Sequence, residues 1–83
     1  MRVLYFAWLR QRTGIAQEDV SPPPEVTTVG ELMSWLVAQS SGHAAAFAEP
    51  RQVRAAVNQA FCGPEATVAP GDEVAFFPPV TGG

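Results

Sequence analysis

The chain has 83 residues, of which 47% are hydrophobic and 16% are charged. This composition predicts one small folded domain and excludes a solvated disordered chain, because enough apolar side chains are present to build a core. The net charge of −3 and the pI near 4.8 argue against nucleic acid or an anionic membrane surface as a partner. One Cys, one His and no Lys exclude an internal disulfide and a Cys/His zinc site.

The apolar run Val3–Leu9 is the only candidate for a targeting segment. It is much shorter than the roughly 18 apolar residues of a spanning helix. Arg10 and Arg12 follow it directly, without the small-residue pattern of a cleavage site. We therefore expect a soluble cytoplasmic protein with no membrane partner.

The N-terminal third predicts two strands. Val3–Leu9 is rich in β-branched and aromatic residues and is apolar on both faces, which is typical of an interior strand. Thr13-Gly14 then indicates a turn, and Ala16–Val20 a second, more polar strand. Pro22–Pro24 end this strand, because proline cannot donate to a sheet ladder.

A helix is predicted to begin after Thr28 and to run to about Gln39. Thr28 and Glu31 have the spacing of a capping box, in which each side chain accepts from the other residue's backbone N–H. One apolar stripe follows at helical spacing: Val29, Leu32, Met33, Leu36 and Val37. One more helical turn is expected over His43–Phe47.

Strands and turns alternate in the remainder of the chain. Val53–Val57 predicts a strand, Asn58-Gln59 a turn and Ala60–Cys62 a short further strand. Ala69–Asp72 has Pro and Gly at the central positions of a type II turn, and Glu73–Phe77 predicts the last strand.

This order of elements predicts an α+β roll with one domain over residues 1–77 and a flexible tail over residues 78–83. The strands near the two termini should be central and paired in a mixed sheet, with one main helix covering one of its faces.

Few side chains suggest chemistry of their own. Cys62 is expected to pack as a small apolar residue, since free cysteines are among the most buried residue types. His43 has no partner at metal-ligand spacing, and we expect it to face solvent or to be loosely packed. The Asp72-Glu73 pair follows a turn and is interpreted as solvated rather than as an acid–base pair.

The C-terminal tail is the remaining candidate. Pro78-Pro79 stiffen the exit from the last strand, and Gly82-Gly83 form a narrow end without side chains. Such an end can enter a slot that no Cβ atom could pass, and its reactive group is the α-carboxylate of Gly83. A frayed terminus is the alternative interpretation.

The residues at the end of the chain resemble a known family. The run 71–83 resembles the ending of the small subunit of molybdopterin synthase. The segment 55–59 resembles the central strand of that family, and Val3–Ala7 followed by Arg10 resembles its first strand. The resemblance covers the whole chain and implies a ubiquitin-like β-grasp fold.

The resemblance also implies a sulfur carrier that is not an enzyme on its own and binds no metal or cofactor. In that family an activating enzyme uses ATP and Mg²⁺ to adenylate the terminal glycine carboxylate, which becomes a thiocarboxylate with the help of a sulfurtransferase. The tail enters the large subunit, and sulfur converts cyclic pyranopterin monophosphate to molybdopterin. Two small and two large subunits form a heterotetramer, and acid–base groups are expected in the large subunit.

Residue by residue, Gly83 matches the modified terminus and Gly82 the glycine before it. Apolar contacts with the large subunit are implied for Phe6, Phe61 and Phe77, for which ordinary core packing is the alternative. Val80 and Thr81 would line the path of the tail, and together with Pro78 and Pro79 they would contact the partner. Phe76 and Phe77 are adjacent in a strand and should face opposite sides, one toward the core and one toward a partner.

Three other functions stay open. A sulfur carrier of the thiamine-thiazole type shares the Gly-Gly ending, although it usually lacks the Phe-Phe-Pro-Pro-Val-Thr run. A ubiquitin-like protein modifier or interaction domain would use the same tail on partner lysines. A stand-alone enzyme with Cys62 as nucleophile is the least favoured, because no second reactive group lies near it in sequence.

Overall fold

The structure is a computed structural model, and it describes residues 1–79. Five strands form within these residues: β1 (Arg2–Tyr5), β2 (Gln17–Asp19), β3 (Arg54–Val57), β4 (Ala60–Cys62) and β5 (Glu73–Phe77). The helical elements are α1 (Trp8–Thr13), α2 (Val29–Val37), α3 (Ser41–Ala46) and one turn of 3₁₀ helix (Pro50–Gln52).

The five strands form one mixed sheet in the order β2-β1-β5-β3-β4. β1 and β5 are parallel, whereas β1–β2, β3–β5 and β3–β4 are antiparallel. β5 therefore occupies the centre of the sheet, with the N-terminal strand beside it. This confirms the predicted α+β roll with paired central strands from the two ends of the chain.

The prediction of one continuous strand over Val3–Leu9 is wrong. β1 ends at Tyr5, and the backbone at Ala7 reverses direction with φ 54° and ψ −131°. Trp8 then begins α1, which ends at Gly14 in a left-handed conformation with φ 81°. Because every residue from Val3 to Leu9 is apolar, the pattern has no alternation that could have located the boundary.

α1 is held to the fold by packing and by α3. Leu9 is fully buried in the core. The Arg12 guanidinium lies 4.4 Å from the centre of the Trp8 ring and donates to the carbonyl oxygen of Ala45 at 3.2 Å. A Cβ atom at Gly42 would lie 2.6 Å from the Arg12 carbonyl oxygen, so glycine permits this close approach of α3.

α2 confirms the predicted helix and its capping box. The Glu31 backbone N–H donates to Thr28 Oγ1 at 3.2 Å, and the Thr28 N–H donates to Glu31 Oε1 at 3.0 Å. Four members of the predicted stripe are buried: Val29, Leu32, Met33 and Leu36. Val37 is 37% exposed, and the helix ends at this residue rather than near Gln39.

α2 is the longest helix within residues 1–79, as expected of the main helix, and the shorter α1 and α3 pack beside it. Ser40 caps α3 by accepting from the backbone N–H of His43 at 3.1 Å. The helical turn predicted over His43–Phe47 is thus confirmed as part of a six-residue helix. No helix within the described residues is long and apolar enough to cross a bilayer.

The C-terminal half follows the prediction closely. Asn58 and Gln59 form the β3–β4 turn with φ 50° and 71°, which matches the twist of the two strands. Gly71 has φ 91°, as position i+2 of a type II turn requires, and the Asp72 N–H donates to Ala69 O at 3.1 Å. β5 begins and ends where the sequence predicted.

The core lies between one face of the sheet and the three helices. It joins the fully buried Tyr5 and Phe76 of the sheet to Leu9, Leu32 and Leu36 of the helices. The Phe47 and Phe76 rings meet edge to face with centroids 5.0 Å apart. All helices of the described part thus pack on the same side, which defines the opposite side of the sheet as its outer face.

Candidate functional site: the outer face of the sheet

The outer face carries one of the two adjacent phenylalanines of β5. Phe76 is 0% exposed in the core, whereas Phe77 is only partly buried. Phe76 is paired with Tyr5 and Ala55, and Phe77 with Arg54. Since paired residues point to the same side, the predicted opposite orientation of Phe76 and Phe77 is confirmed.

An apolar row crosses the outer face from strand to strand. Leu4 pairs with Ala75, Ala75 with Ala56, and Ala56 with Phe61, so the row spans β1, β5, β3 and β4. Phe77 lies one pleat further along β5 on the same side. We call these five residues the outer apolar row. No helix within residues 1–79 covers it.

Phe61 and Phe77 are the largest members of the outer apolar row. Their ring centroids are 5.6 Å apart, with the ring planes tilted by 55°. Phe61 is 83% exposed, which is unusual for a phenylalanine in a small domain. Contiguous exposed aromatic surface of this kind marks an interaction site.

Phe6 lies at the end of the same central strand pair. Its backbone N–H donates to the carbonyl oxygen of Phe76 at 3.1 Å, which continues the β1–β5 ladder beyond Tyr5. Its side chain is 49% exposed. The structure therefore exposes Phe6, Phe61 and Phe77 to different degrees, and places Phe61 and Phe77 in contact.

The tail begins beside this row. Pro78 and Pro79 follow β5 directly and are half-buried. Val80, Thr81, Gly82 and Gly83 lie outside the described residues, so their predicted roles stay predictions. The described part shows that the chain leaves the centre of the sheet next to Phe77, at the aromatic end of the outer apolar row.

Charged groups of the outer face lie at both ends of β5. Arg2 is paired with both Asp19 and Glu73, and its Nε donates to Asp19 Oδ1 at 3.3 Å. This polar pairing lies at the opposite end of β5 from Phe77. Arg54 is the charged side chain in register with Phe77, so the aromatic end has a positive border.

His43 corrects the expectation of a solvent-facing or loosely packed histidine. It is only 7% exposed, because His43 and Ala46 lie on the face of α3 that packs into the core. His43 Nδ1 lies 2.7 Å from Ser40 Oγ, and Nε2 lies 2.6 Å from Glu18 Oε2. The same carboxylate oxygen accepts from the Tyr5 hydroxyl at 2.7 Å.

This polar cluster explains the electrostatics of Tyr5. Burial, followed by the hydrogen bond to Glu18 and the charge of that carboxylate, raises the pKa of the Tyr5 phenol above its ordinary value. The cluster lies on the helical side of the sheet, away from the outer apolar row. We interpret it as a structural link among β1, β2 and α3.

Cys62 also faces the helical side. It is paired with Ala55, its neighbour Phe61 faces outward, and its Sγ lies 3.8 Å from the Ala55 carbonyl oxygen. It is only partly buried. Residues 1–79 contain no group of three or more His, Cys, Asp or Glu side chains placed to hold a metal ion.

Sequence reasoning found the aromatic members of the site and missed the smaller ones. Leu4, Ala56 and Ala75 become part of it only through the pairing register, which aligns three strands that are distant in sequence. Arg54 was missed for the same reason. Alternation in Glu73–Phe77 could have suggested Ala75, since it shares a face with Phe77.

The whole chain matches known proteins. A family model described as the ThiS family matches residues 3–83. The chain belongs to the ThiS family. Over 83 residues it is 41% identical to the molybdopterin synthase sulfur carrier subunit of Escherichia coli (strain K12), covering 100% of this chain and 99% of that protein. It is 35% identical to the protein of the same name from Haemophilus influenzae, with the same coverage.

Solved structures agree with the ThiS-family assignment. A putative molybdopterin converting factor, subunit 1, from Pyrococcus furiosus matches with a TM-score of 0.76 and 30% identity over 95% of each chain. Small archaeal modifier protein 1 from Haloferax volcanii matches with a TM-score of 0.73 and 28% identity over 96% of this chain and 97% of that one. The ubiquitin-like β-grasp fold implied by the sequence resemblance is thereby confirmed.

Proposed function

We propose that this chain is the sulfur carrier subunit of a molybdopterin synthase. The observation that carries the proposal is the full-length similarity to two sulfur carrier subunits, joined to an exposed apolar face beside the start of the tail. The protein acts in the cytoplasm as a donor of sulfur, and the large subunit supplies the acid–base groups.

The carrier chemistry takes place at the carboxylate of Gly83. A carboxylate is a poor electrophile, because the oxide it would expel is a poor leaving group. An activating enzyme with ATP and Mg²⁺ forms an acyl-adenylate and releases pyrophosphate. Sulfide-level sulfur delivered by a sulfurtransferase then attacks the acyl carbon, a C–S bond forms as the C–O bond to AMP breaks, and the terminus becomes a thiocarboxylate. Gly82 keeps the approach to this group narrow, since it has no side chain.

The outer apolar row is the docking surface for the large subunit in this proposal. Phe61 and Phe77 form its aromatic centre, and Phe6 extends it along β1. Aromatic side chains in a desolvated patch commonly supply most of the binding free energy of an interface. Docking there directs Pro78, Pro79, Val80 and Thr81 toward the partner, where sulfur passes to cyclic pyranopterin monophosphate. Two small and two large subunits form the assembly.

Intact mass spectrometry tests the carrier step. The chain is produced together with its activating enzyme and sulfurtransferase, and the expected mass shows one oxygen replaced by sulfur. Deletion of Gly83 should remove both the mass change and molybdopterin formation. Cys62→Ser is the matched control, because it removes the only thiol and should leave the sulfur increment in place. A mass change that survives deletion of Gly83 would refute the proposal.

A ubiquitin-like protein modifier is the second candidate, favoured by the structural similarity to small archaeal modifier protein 1. A carrier for thiamine-thiazole synthesis is the third. Complementation separates them: in cells that lack their own carriers, the chain should restore molybdoenzyme activity and should not restore thiazole synthesis. Stable attachment of the Gly83 carboxyl to lysines of other proteins would instead support the modifier function.

A further inference from the structure

A cavity of about 490 Å³ lies on the helical side of the sheet, away from the outer apolar row. It opens between α2, the 3₁₀ turn and the β3–β4 hairpin. Apolar side chains dominate its lining, among them Val29, Met33, Phe47, Val53 and Ala55. This volume is within the roughly 300–1,000 Å³ of small-molecule sites, which combine an apolar lining with a few polar groups.

The charged residues that line this cavity in the described part of the chain are both arginines, Arg51 and Arg54. Nη1 of Arg54 donates to the carbonyl oxygen of Arg51 at 2.7 Å, which fixes the guanidinium at the rim. Within residues 1–79 neither arginine forms a salt bridge with a carboxylate. The chain has only five basic side chains against eight acidic ones, so two arginines at one rim are a local concentration of positive charge.

We propose that this cavity binds a small amphipathic carboxylate, with its apolar body in the cavity and its anionic head at Arg51 and Arg54. Guanidinium groups bind carboxylates through paired N–H donors, and such charge-assisted hydrogen bonds are about twice as strong as neutral ones. An uncharged apolar molecule would make no charge-assisted hydrogen bond to either guanidinium group. The proposal goes beyond the sulfur carrier function, because the body of the cavity lies on the opposite side of the sheet from the outer apolar row. Arg54 borders both the cavity and the aromatic end of that row.

Titration of the ¹⁵N-labelled full chain with decanoate, followed by NMR, tests this site. Saturable shifts should appear at the backbone amides of Met33, Arg51, Val53 and Cys62, and those of Leu4 and Ala75 should stay unchanged. Decanol has the same alkyl chain without the charge, and we expect it to bind at least about fivefold more weakly.

Substitutions test separately the arginine rim and the apolar body of the cavity. Arg51→Gln and Arg54→Gln should each weaken decanoate binding at least about fivefold. Arg2→Gln removes the same charge at the other end of the sheet and should leave the affinity unchanged. Ser34→Trp adds a large side chain at an exposed lining position, where it should block the cavity without disturbing the core.

Three results would each overturn the proposal. Decanoate could give no saturable shifts, decanol could bind as tightly as decanoate, or the shifts could map to the outer face. An equal loss of affinity in Arg2→Gln and in the two rim variants would also refute it, since it would indicate a general charge effect. The rim variants keep the test decisive even if Ser34→Trp fails to fold.

Discussion

Nε2 of His43 lies 2.6 Å from Oε2 of Glu18, across 25 residues of sequence. The Tyr5 hydroxyl donates to the same oxygen at 2.7 Å. The other ring nitrogen of His43, Nδ1, lies 2.7 Å from Ser40 Oγ. The three side chains connect β1, β2 and α3 at the edge of the core.

His43→Ala should therefore destabilise the fold by about 1–3 kcal/mol, because it removes a hydrogen-bond partner of Glu18 and leaves a gap among buried side chains. Urea unfolding of the variant and of the parent chain measures the difference. Gln39→Ala, at an exposed position just before α3, is the control and should change the free energy of unfolding by less than about 0.5 kcal/mol. Equal stability of His43→Ala and the parent would show that the cluster is not a structural link.

Titration at alkaline pH should show that the Tyr5 phenol resists ionisation in the folded chain. Burial and the Glu18 carboxylate raise its pKa in the folded chain above the ordinary 10.0, whereas the unfolded chain keeps that value. The resulting stability is fully present below about pH 10 and is lost as the pH rises through the folded pKa. Tyr5 is the only tyrosine, so tyrosinate absorbance reports on it alone.

We expect the native chain to show no tyrosinate absorbance at a pH where the chain in denaturant is already half titrated. Tyr5→Phe should lose less stability than the parent as the pH rises above about 10, because it has no phenol to ionise. A native titration curve that coincides with the denatured one would contradict the buried cluster.

Acid pH should report on the capping box of α2. Hydrogen bonds from the backbone N–H and hydroxyl of Thr27, and then from Thr28, lower the pKa of Glu31 below its ordinary 4.5. Its contribution to stability is present above about pH 4.5 and is lost as the pH falls through the lower folded pKa. Glu31→Gln should flatten the pH dependence of the urea midpoint in this range. Glu25→Gln, which removes a carboxylate outside the box, is the matched control.

Substitutions at the adjacent residues Phe76 and Phe77 should differ in their effect on the free energy of unfolding. Phe76→Ala should destabilise the chain by about 3–5 kcal/mol, because it leaves a cavity in the core. Phe77→Ala should cost less than about 1 kcal/mol, since its ring is partly exposed. Thermal unfolding measures the loss of stability in each variant. If Phe76→Ala does not fold, Phe76→Leu takes its place. Similar losses at the two positions would refute the assignment of the two faces.

Phe61→Ala should weaken binding to the large subunit at least about tenfold while leaving the fold intact, since Phe61 is 83% exposed. Isothermal titration calorimetry with the purified large subunit measures the affinity. Val37→Ala removes another exposed apolar side chain, on α2, and should leave the affinity unchanged. An unchanged affinity for Phe61→Ala would show that the partner docks elsewhere.

The local features of the chain were predictable from sequence because each depends on neighbouring residues. The Thr28–Glu31 box and the turns at Asn58-Gln59 and Ala69–Asp72 are set by side chains and backbone preferences within a few positions. The first and last residues of β5 were predicted correctly for the same reason. The family resemblance added the β-grasp fold, which no short pattern contains.

Tertiary structure alone decided three other matters. It ended β1 at Tyr5 and formed α1, because an uninterrupted apolar run fits a strand and a buried helix equally well. It buried His43, since Glu18 becomes its partner only after β2 and α3 pack together. It also aligned Leu4, Ala75, Ala56 and Phe61, because pairing register depends on how distant strands meet. The sequence by itself determined the family, and the packing of the sheet determined which aromatic side chains lie beside the start of the tail at Pro78.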